Sequence, residues 1–283
     1  MALNDFILVA PKNDLEAIAI GTEVTFEKGL PKLEPGAKQP KSFEGYLKST
    51  LSAVSRKYLK LRYSGHRLAR GCLVVAVGPT SFQEYREAFG TNGDLPDSEL
   101  IKKLQEEGKT TTHDRWARLA RPLGLTIAVM DEMGVLVLGK RQEVTAVAAG
   151  GVTEYSDFYH SPAGYFAFTT TPDEISIMDT ALHFLLTNYN IQRSNVVQVR
   201  TLLIAAHPET GETDIVCLAK TDVHPSHFEG NGSWKDAGRN SKYKSLQRIS
   251  TKEAGSFLAS NKVVYGTAAL LSHLNNTGGA KVE

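Results

Sequence analysis

Cysteine is scarce: Cys72 and Cys217 are the two in a chain of 283 residues. Both sit in apolar, strand-like runs, so the sequence predicts buried thiols and no disulfide framework, as suits a reducing compartment. Charge of one sign is lacking too, with 32 lysines and arginines against 31 aspartates and glutamates. Nucleic-acid partners call for a basic excess, so none is expected. No apolar run reaches the ~20 residues of a membrane span. The opening Met1-Ala-Leu-Asn-Asp has no basic segment followed by a long apolar one, so the reading is cytoplasmic, without membrane attachment. Metal-ligand patterns are thin. His224-x-x-His227 has a ligand-like spacing, but no cysteine or third histidine adjoins it, and two surface histidines are expected there.

What is present is the material of a core. Hydrophobic residues make up 41% and charged ones 22%, the proportions of a globular protein. The length allows one large domain or two ordinary ones. The pattern divides into an N-terminal α+β part over residues 1–120, a second α/β part over 121–275, and a flexible tail over 276–283.

In the first part, Phe6 to Ala10 and Glu23 to Glu27 read as strands, and Ser42 to Tyr63 as a long helix with a lysine-rich outer face. Gly71 to Gly78, apolar and bounded by glycines, predicts a buried strand. A helix follows over Asp97 to Glu107, ended by the polar run GKTTTHD. In the second part, Leu123 to Met130 and Val135 to Lys140 predict a hairpin about Asp131-Glu132-Met133-Gly134, where glycine supplies a positive φ. Ala148 to Gly151 reads as a loop and Phe158 to His160 as a short strand; Val196 to Ala206 and Asp214 to Ala219 form a second hairpin across HPETGE. A polar loop over His227 to Lys242 leads to a strand over Leu246 to Ile249, a helix from about Thr251 and a last helix near Tyr265.

Pro162 to Ile191, PAGYFAFTTTPDEISIMDTALHFLLTNYNI, organises the second part. Thr171 is the expected N-cap, Pro172 the first helical residue, and Asp173 and Glu174 favour the positive end of the helix dipole. Ile175, Met178, Leu182, Leu185 and Tyr189 recur at helical spacing and predict the core face. At about 100° per residue, Asp179 and His183 fall on its shoulder, and Phe184, Thr187 and Asn188 on the opposite side.

The Pro-Ala-Gly turn, Pro-started helix and Asn-Ile exit resemble the frame of the Nudix box, a Gly-led loop and helix with a glutamate in the loop and Arg-Glu-x-x-Glu-Glu near the helix end. Those carboxylates hold divalent cations that bridge a diphosphate and activate water. Counting forward from Gly164 places the helix glutamate positions on Asp179, Leu182 and His183; counting backward from Asn190-Ile191 places them on Phe184, Thr187 and Asn188. A box helix turns its carboxylates away from the sheet, so the expected core face selects the backward frame, which has none. The segments GPTSFQEYREAFGTN and RPLGLTIAVMDEMGVLVLGKRQEV, with the final YGTAALLSHLNN, resemble the UDP-glucose and UDP-galactose diphosphatases of the same superfamily. Their box ends Glu-x-x-Asp-Glu-x-Asn-Leu, where this chain has FLLTNYNI.

The resemblance implies a Nudix-like α/β/α sandwich with an N-terminal α+β extension, and a small-molecule ligand of the nucleotide-sugar class. Thr80, Phe82 and Asn92 are its candidates for a uracil and ribose, with turn capping the alternative for the Gly-Thr-Asn segment. His160, Phe184, Thr187 and Asn188 are the other candidate ligand contacts. No cofactor is expected. The alternative is an active UDP-sugar diphosphatase holding Mg²⁺ through Asp179, His183 and Glu229. Ile177 and Phe184, seven apart, fill a cleft, touch an apolar ligand, or form a homodimer interface.

Overall fold

The computed structural model describes residues 7–9, 18–21, 59–69, 72–81, 98–117, 119, 121–141, 157–167, 175–208, 210–229, 232, 234–235 and 243–277. The strands are β1 (Ile7–Val9), β2 (Ile18–Gly21), β3 (Leu59–Ala69), β4 (Cys72–Ser81), β5 (Leu123–Met130), β6 (Leu136–Arg141), β7 (Tyr159–His160), β8 (Ala163–Tyr165), β9 (Val196–Ala206), β10 (Thr213–Thr221) and β11 (Tyr243–Ile249). The helices are α1 (Ser98–Thr112), α2 (Ile177–Tyr189), α3 (Ala254–Ser260) and α4 (Tyr265–Asn276).

The larger sheet runs in the order β1-β9-β10-β5-β6-β11, with β7 on β6 and β8 on β5. Its centre is the parallel pair β5 and β10, Thr213 opposite Leu123 through to Lys220 opposite Met130. Every residue of β5 is buried. A near-continuous apolar run of this kind is what a strand covered on both faces requires.

Alternation along the two strands separates the layers. Leu125, Ile127, Val129, Ile215, Cys217 and Ala219 face one core, which also holds Ala181, Leu185 and Tyr189 of α2. Ala128, Met130, Val216 and Leu218 face the other, with Phe257 of α3 and Ala269, Leu270, Leu271 and Leu274 of α4. Period-2 side chains on a strand force this division. The result is the expected α/β/α sandwich, with α2 on one face and α3 and α4 on the other.

The smaller sheet, β2-β4-β3, joins the same structure. Leu61, Tyr63, Val75 and Val77 lie in the α2-side core. The Leu61 amide donates to Phe166 O at 3.2 Å and the Tyr63 amide to Arg121 O at 3.0 Å, so β3 continues the backbone ladder beyond β8. Residues 7–9 pair with the outer edge of β9.

Several expectations are corrected. Residues 59–63, assigned to the end of a long helix, open strand β3, with Leu61 and Tyr63 buried. Alternating Leu-Lys-Leu-Arg-Tyr satisfies period 2 as well as it satisfies a helix. Helix α1 runs through Gly108 to Thr112, where a breaker was expected. The Thr110 hydroxyl bonds back to Glu106 O at 2.9 Å, inside the helix. A strand lies at Ile18–Gly21. Asn276, assigned to the flexible tail over 276–283, ends helix α4, and the readings at 23–27, 42–58, 148–151 and 278–283 lie outside the described residues. The hairpin about Asp131–Gly134 and that across residues 207–212 form as expected, with Gly134 at φ 72°.

Candidate functional site

Helix α2 begins later than its sequence implies. Ser176 is the N-cap, its side chain accepting from the Asp179 amide at 3.0 Å, where Thr171 had been expected. The helix ends on Asn190 in the left-handed region at φ 53°, whose amide bonds back to Leu186 O at 3.0 Å, and Ile191 beyond it is buried. A left-handed C′ residue followed by an apolar contact is a common helix stop.

The core face of α2 is also rotated from the expected one, by rather less than a quarter turn. Ala181, Leu185, Asn188 and Tyr189 are buried, and Ile177 and Phe184 pack against the same core. Met178 and Leu186, in contrast, are 42% and 41% exposed. Asp179 and His183 are therefore on the outward side and not beside a buried stripe. Asp179 is solvent-exposed and pairs with Arg193 at 3.8 Å. His183 is exposed, with its ring 5.7 Å from that of Phe184. Phe184 and Asn188, expected opposite the core, pack on it, and Thr187 is half-buried at its edge, so the rule that a box helix turns its carboxylates away from the sheet no longer selects the backward frame.

These three form one small patch. The tip of the Phe184 ring lies over Gly164 of β8: a Cβ added there would stand 2.6 Å from Phe184 Cζ. Thr187 Oγ1 donates to His183 O at 2.8 Å. Asn188, 3% exposed, donates through Nδ2 to Phe184 O at 2.8 Å and to Thr187 Oγ1 at 3.2 Å. The neutral polar groups of this face are thus tied to the helix's own turns.

The other candidates are dispersed. His160 is buried in β7, with Nδ1 3.4 Å from Tyr243 Oη, and Tyr243 donates to Ser161 O at 2.9 Å. Thr80 is buried in β4, while Phe82 and Asn92 lie outside the described residues. His227 is not a surface group awaiting a ligand; its Nε2 donates to Tyr189 O at 2.7 Å. His224 accepts from the Ser226 amide at 3.2 Å and lies 3.7 Å from Glu132. Glu229 is 3.7 Å from Arg248. Among the described residues no three or more His, Cys, Asp or Glu side chains gather as a metal-binding group, and no helix is long and apolar enough to cross a membrane. Cys217 is buried and free, its thiol pushed up to about 12 by burial.

Among the described residues, three carboxylates outside the expected site are buried, Asp131, Glu212 and Asp214. Asp131 accepts from the Met133 and Val135 amides and from Arg248 Nε at 2.7 Å, which fixes the β5–β6 turn. Asp214 accepts from Thr126 Oγ1 at 2.6 Å beneath the start of α4. The signal was available: one acid opens the otherwise apolar DIVCLA of β10.

No family model matches the chain, and no curated protein matches it significantly. Among solved structures it is similar to the MutT protein of Methanosarcina mazei Go1, with 9% identity, 56% of this chain and 94% of that one covered, and a TM-score of 0.35. A NUDIX-family hydrolase of Clostridium perfringens is similar at 9% identity, covering 56% and 99%, with a TM-score of 0.32. A Nudix hydrolase of M. smegmatis is similar at 12% identity, covering 57% and 88%, with a TM-score of 0.34. These are likenesses to Nudix structures and carry nothing about substrate or metal.

Proposed function

We propose that this protein is a Nudix-fold binding protein, which takes a nucleotide sugar or related small molecule without Mg²⁺-dependent hydrolysis. One observation carries the reading: the flank of α2 beside Gly164 presents Phe184, Thr187 and Asn188, and the two polar ones are hydrogen-bonded within the helix. The left-handed stop at Asn190 and the buried Ile191 support counting the box backward from that exit. In that frame these three residues occupy the glutamate positions. A diphosphate linkage needs its charge neutralised and a water activated by metal held on clustered carboxylates. A phenyl ring and two neutral side chains supply neither.

The test has two arms. Purified protein incubated with UDP-glucose, ADP-ribose or NADH and Mg²⁺ or Mn²⁺ is expected to release no phosphate in a coupled assay. Metal-dependent turnover lost in Asp179→Ala or His183→Ala would overturn the reading and establish the forward frame. Calorimetry with UDP and UDP-glucose tests the ligand. Phe82→Ala is expected to weaken binding at least tenfold, since stacking on an aromatic contributes about 1–3 kcal/mol per base. Absence of binding to the unaltered protein at millimolar ligand would remove the nucleotide-sugar assignment.

A further inference from the structure

The opposite face of the sheet carries a polar cluster that the proposed ligand site does not use. Asp214, on β10, is 6% exposed and points between two glycines. Side chains at Gly124 of β5 or Gly266 of α4 would collide with its carboxyl; a Cβ at Gly266 would stand 2.5 Å from Oδ2. Neither glycine has a φ that demands one, so each is there for the room it leaves. Thr126 Oγ1 donates to it at 2.6 Å. Tyr265, the first residue of α4, is 7% exposed, and its hydroxyl is buried without a hydrogen bond. That hydroxyl nevertheless stands close enough to Asp214 for each group to shift the other's titration.

The surroundings are specific. Tyr265 is faced by Glu212, just before β10, and Tyr165 of β8, which are joined by a 2.5 Å hydrogen bond, and by the ring of His207, edge-on at 5.4 Å. The first turn of α4 is tied elsewhere too: Thr267 Oγ1 accepts from the Ser161 amide at 2.9 Å, and the Val264 amide donates to Tyr159 O at 3.0 Å. These bonds join the start of α4 to residues 159–161, just before the turn that places Gly164 under Phe184.

We infer that Asp214 and Tyr265 form a proton-operated contact between the sheet and the first turn of α4. With Asp214 neutral, nothing requires the nearby Tyr265 hydroxyl to donate to it. On losing its proton, the carboxylate in this enclosed site keeps the Thr126 hydrogen bond and draws the nearby Tyr265 O–H into a second, because a buried anion needs more than one donor to be tolerated. Burial, opposed by the two hydroxyls, holds the Asp214 carboxyl up at about 6, so the change falls near neutral pH.

The test is a carboxyl-carbon NMR titration of full-length protein, read together with the Gly266 and Thr267 amide shifts. The expected result is an Asp214 midpoint near 6 that the α4 amides share. Tyr265→Phe should raise that midpoint, because the anion loses its second donor, and Asp214→Asn should abolish the step in the amides. An Asp214 midpoint near 4, amides that do not follow it, or a midpoint unmoved by Tyr265→Phe would each overturn the inference. Should either variant fail to fold, the shared or unshared midpoint in the unaltered protein still decides. Hydrolase assays are not involved, so this result and that of the ligand site are independent.

Discussion

Gly164 and Phe184 make a double-mutant cycle that tests the packing of the candidate site directly. The Gly164 backbone has no φ that only glycine accepts, so the cost of adding a methyl group there is set by space alone. The new Cβ would stand 2.6, 2.9 and 3.2 Å from three atoms of the Phe184 ring. Carbon atoms rest at about 3.5–4.0 Å, so the ring must retreat by roughly an ångström. Overpacking of this kind costs about 1–3 kcal/mol. Phe184→Ala should itself cost about 2 kcal/mol, around half the value for a fully buried phenylalanine, because the ring is only partly buried. With the ring removed, the three closest atoms are gone, and the cost of Gly164→Ala should fall sharply, helped by the freedom the unfolded chain loses. The expected coupling is about 1–2 kcal/mol, well above the ~0.5 kcal/mol limit of additivity for independent sites. Urea unfolding with unchanged slope is the assay. Equal cost of Gly164→Ala in both backgrounds would refute the contact, and with it the claim that Phe184 occupies the space between α2 and β8.

Other outcomes follow from single groups. Asp131→Ala removes the acceptor of two backbone amides and the partner of Arg248, and should lower stability by about 2–4 kcal/mol in the same urea assay. Ser176→Ala should cost about 1 kcal/mol as a lost N-cap, measured as a drop in melting temperature. Stability should also depend on pH through Asp214. Its folded pKa lies above the ordinary value of an aspartate, so the folded state binds a proton more tightly than the unfolded one. The stability it contributes is complete below about 4 and is lost as pH rises through about 6, amounting to about 3 kcal/mol. Asp214→Asn should therefore gain relative to the unaltered protein across that window, and a pH-independent difference between the two would contradict the assignment.

The fold was legible where one pattern dominates. Strands β5 and β10 are largely apolar runs, each in a hairpin about a glycine-bearing turn, so the hairpin pairs and their burial could be read from residue order, while the parallel pairing of β5 with β10 could not. Residues 59–63 were not legible in the same way. Leu59, Leu61 and Tyr63 fit the end of a helical series as readily as one face of a strand, and the choice is made by partners far along the chain, Phe166 O and Arg121 O. Arg62 shows the same dependence: a charged residue on the alternate face is buried because Ala117 O and Leu119 O receive its guanidinium.

Helix α2 shows why the site was harder to read than the fold. Its sequence IMDTALHFLLTNY is apolar around most of the circumference, so periodicity leaves the direction of the core poorly determined. Met178 and Leu182 pulled the expected stripe towards solvent, and Asn188, a polar residue, gave no hint of being buried. What makes its burial tolerable is local: its amide donates to the carbonyl one turn back, so its donor enters the core already paired. The helix exit was the better guide. A left-handed Asn190 before an apolar Ile191 depends on two adjacent residues and backbone sterics, not on a face averaged over thirteen. The stop at Asn190 selects the backward frame, whereas the direction of the core, with Asp179 and His183 outward and Asn188 buried, does not.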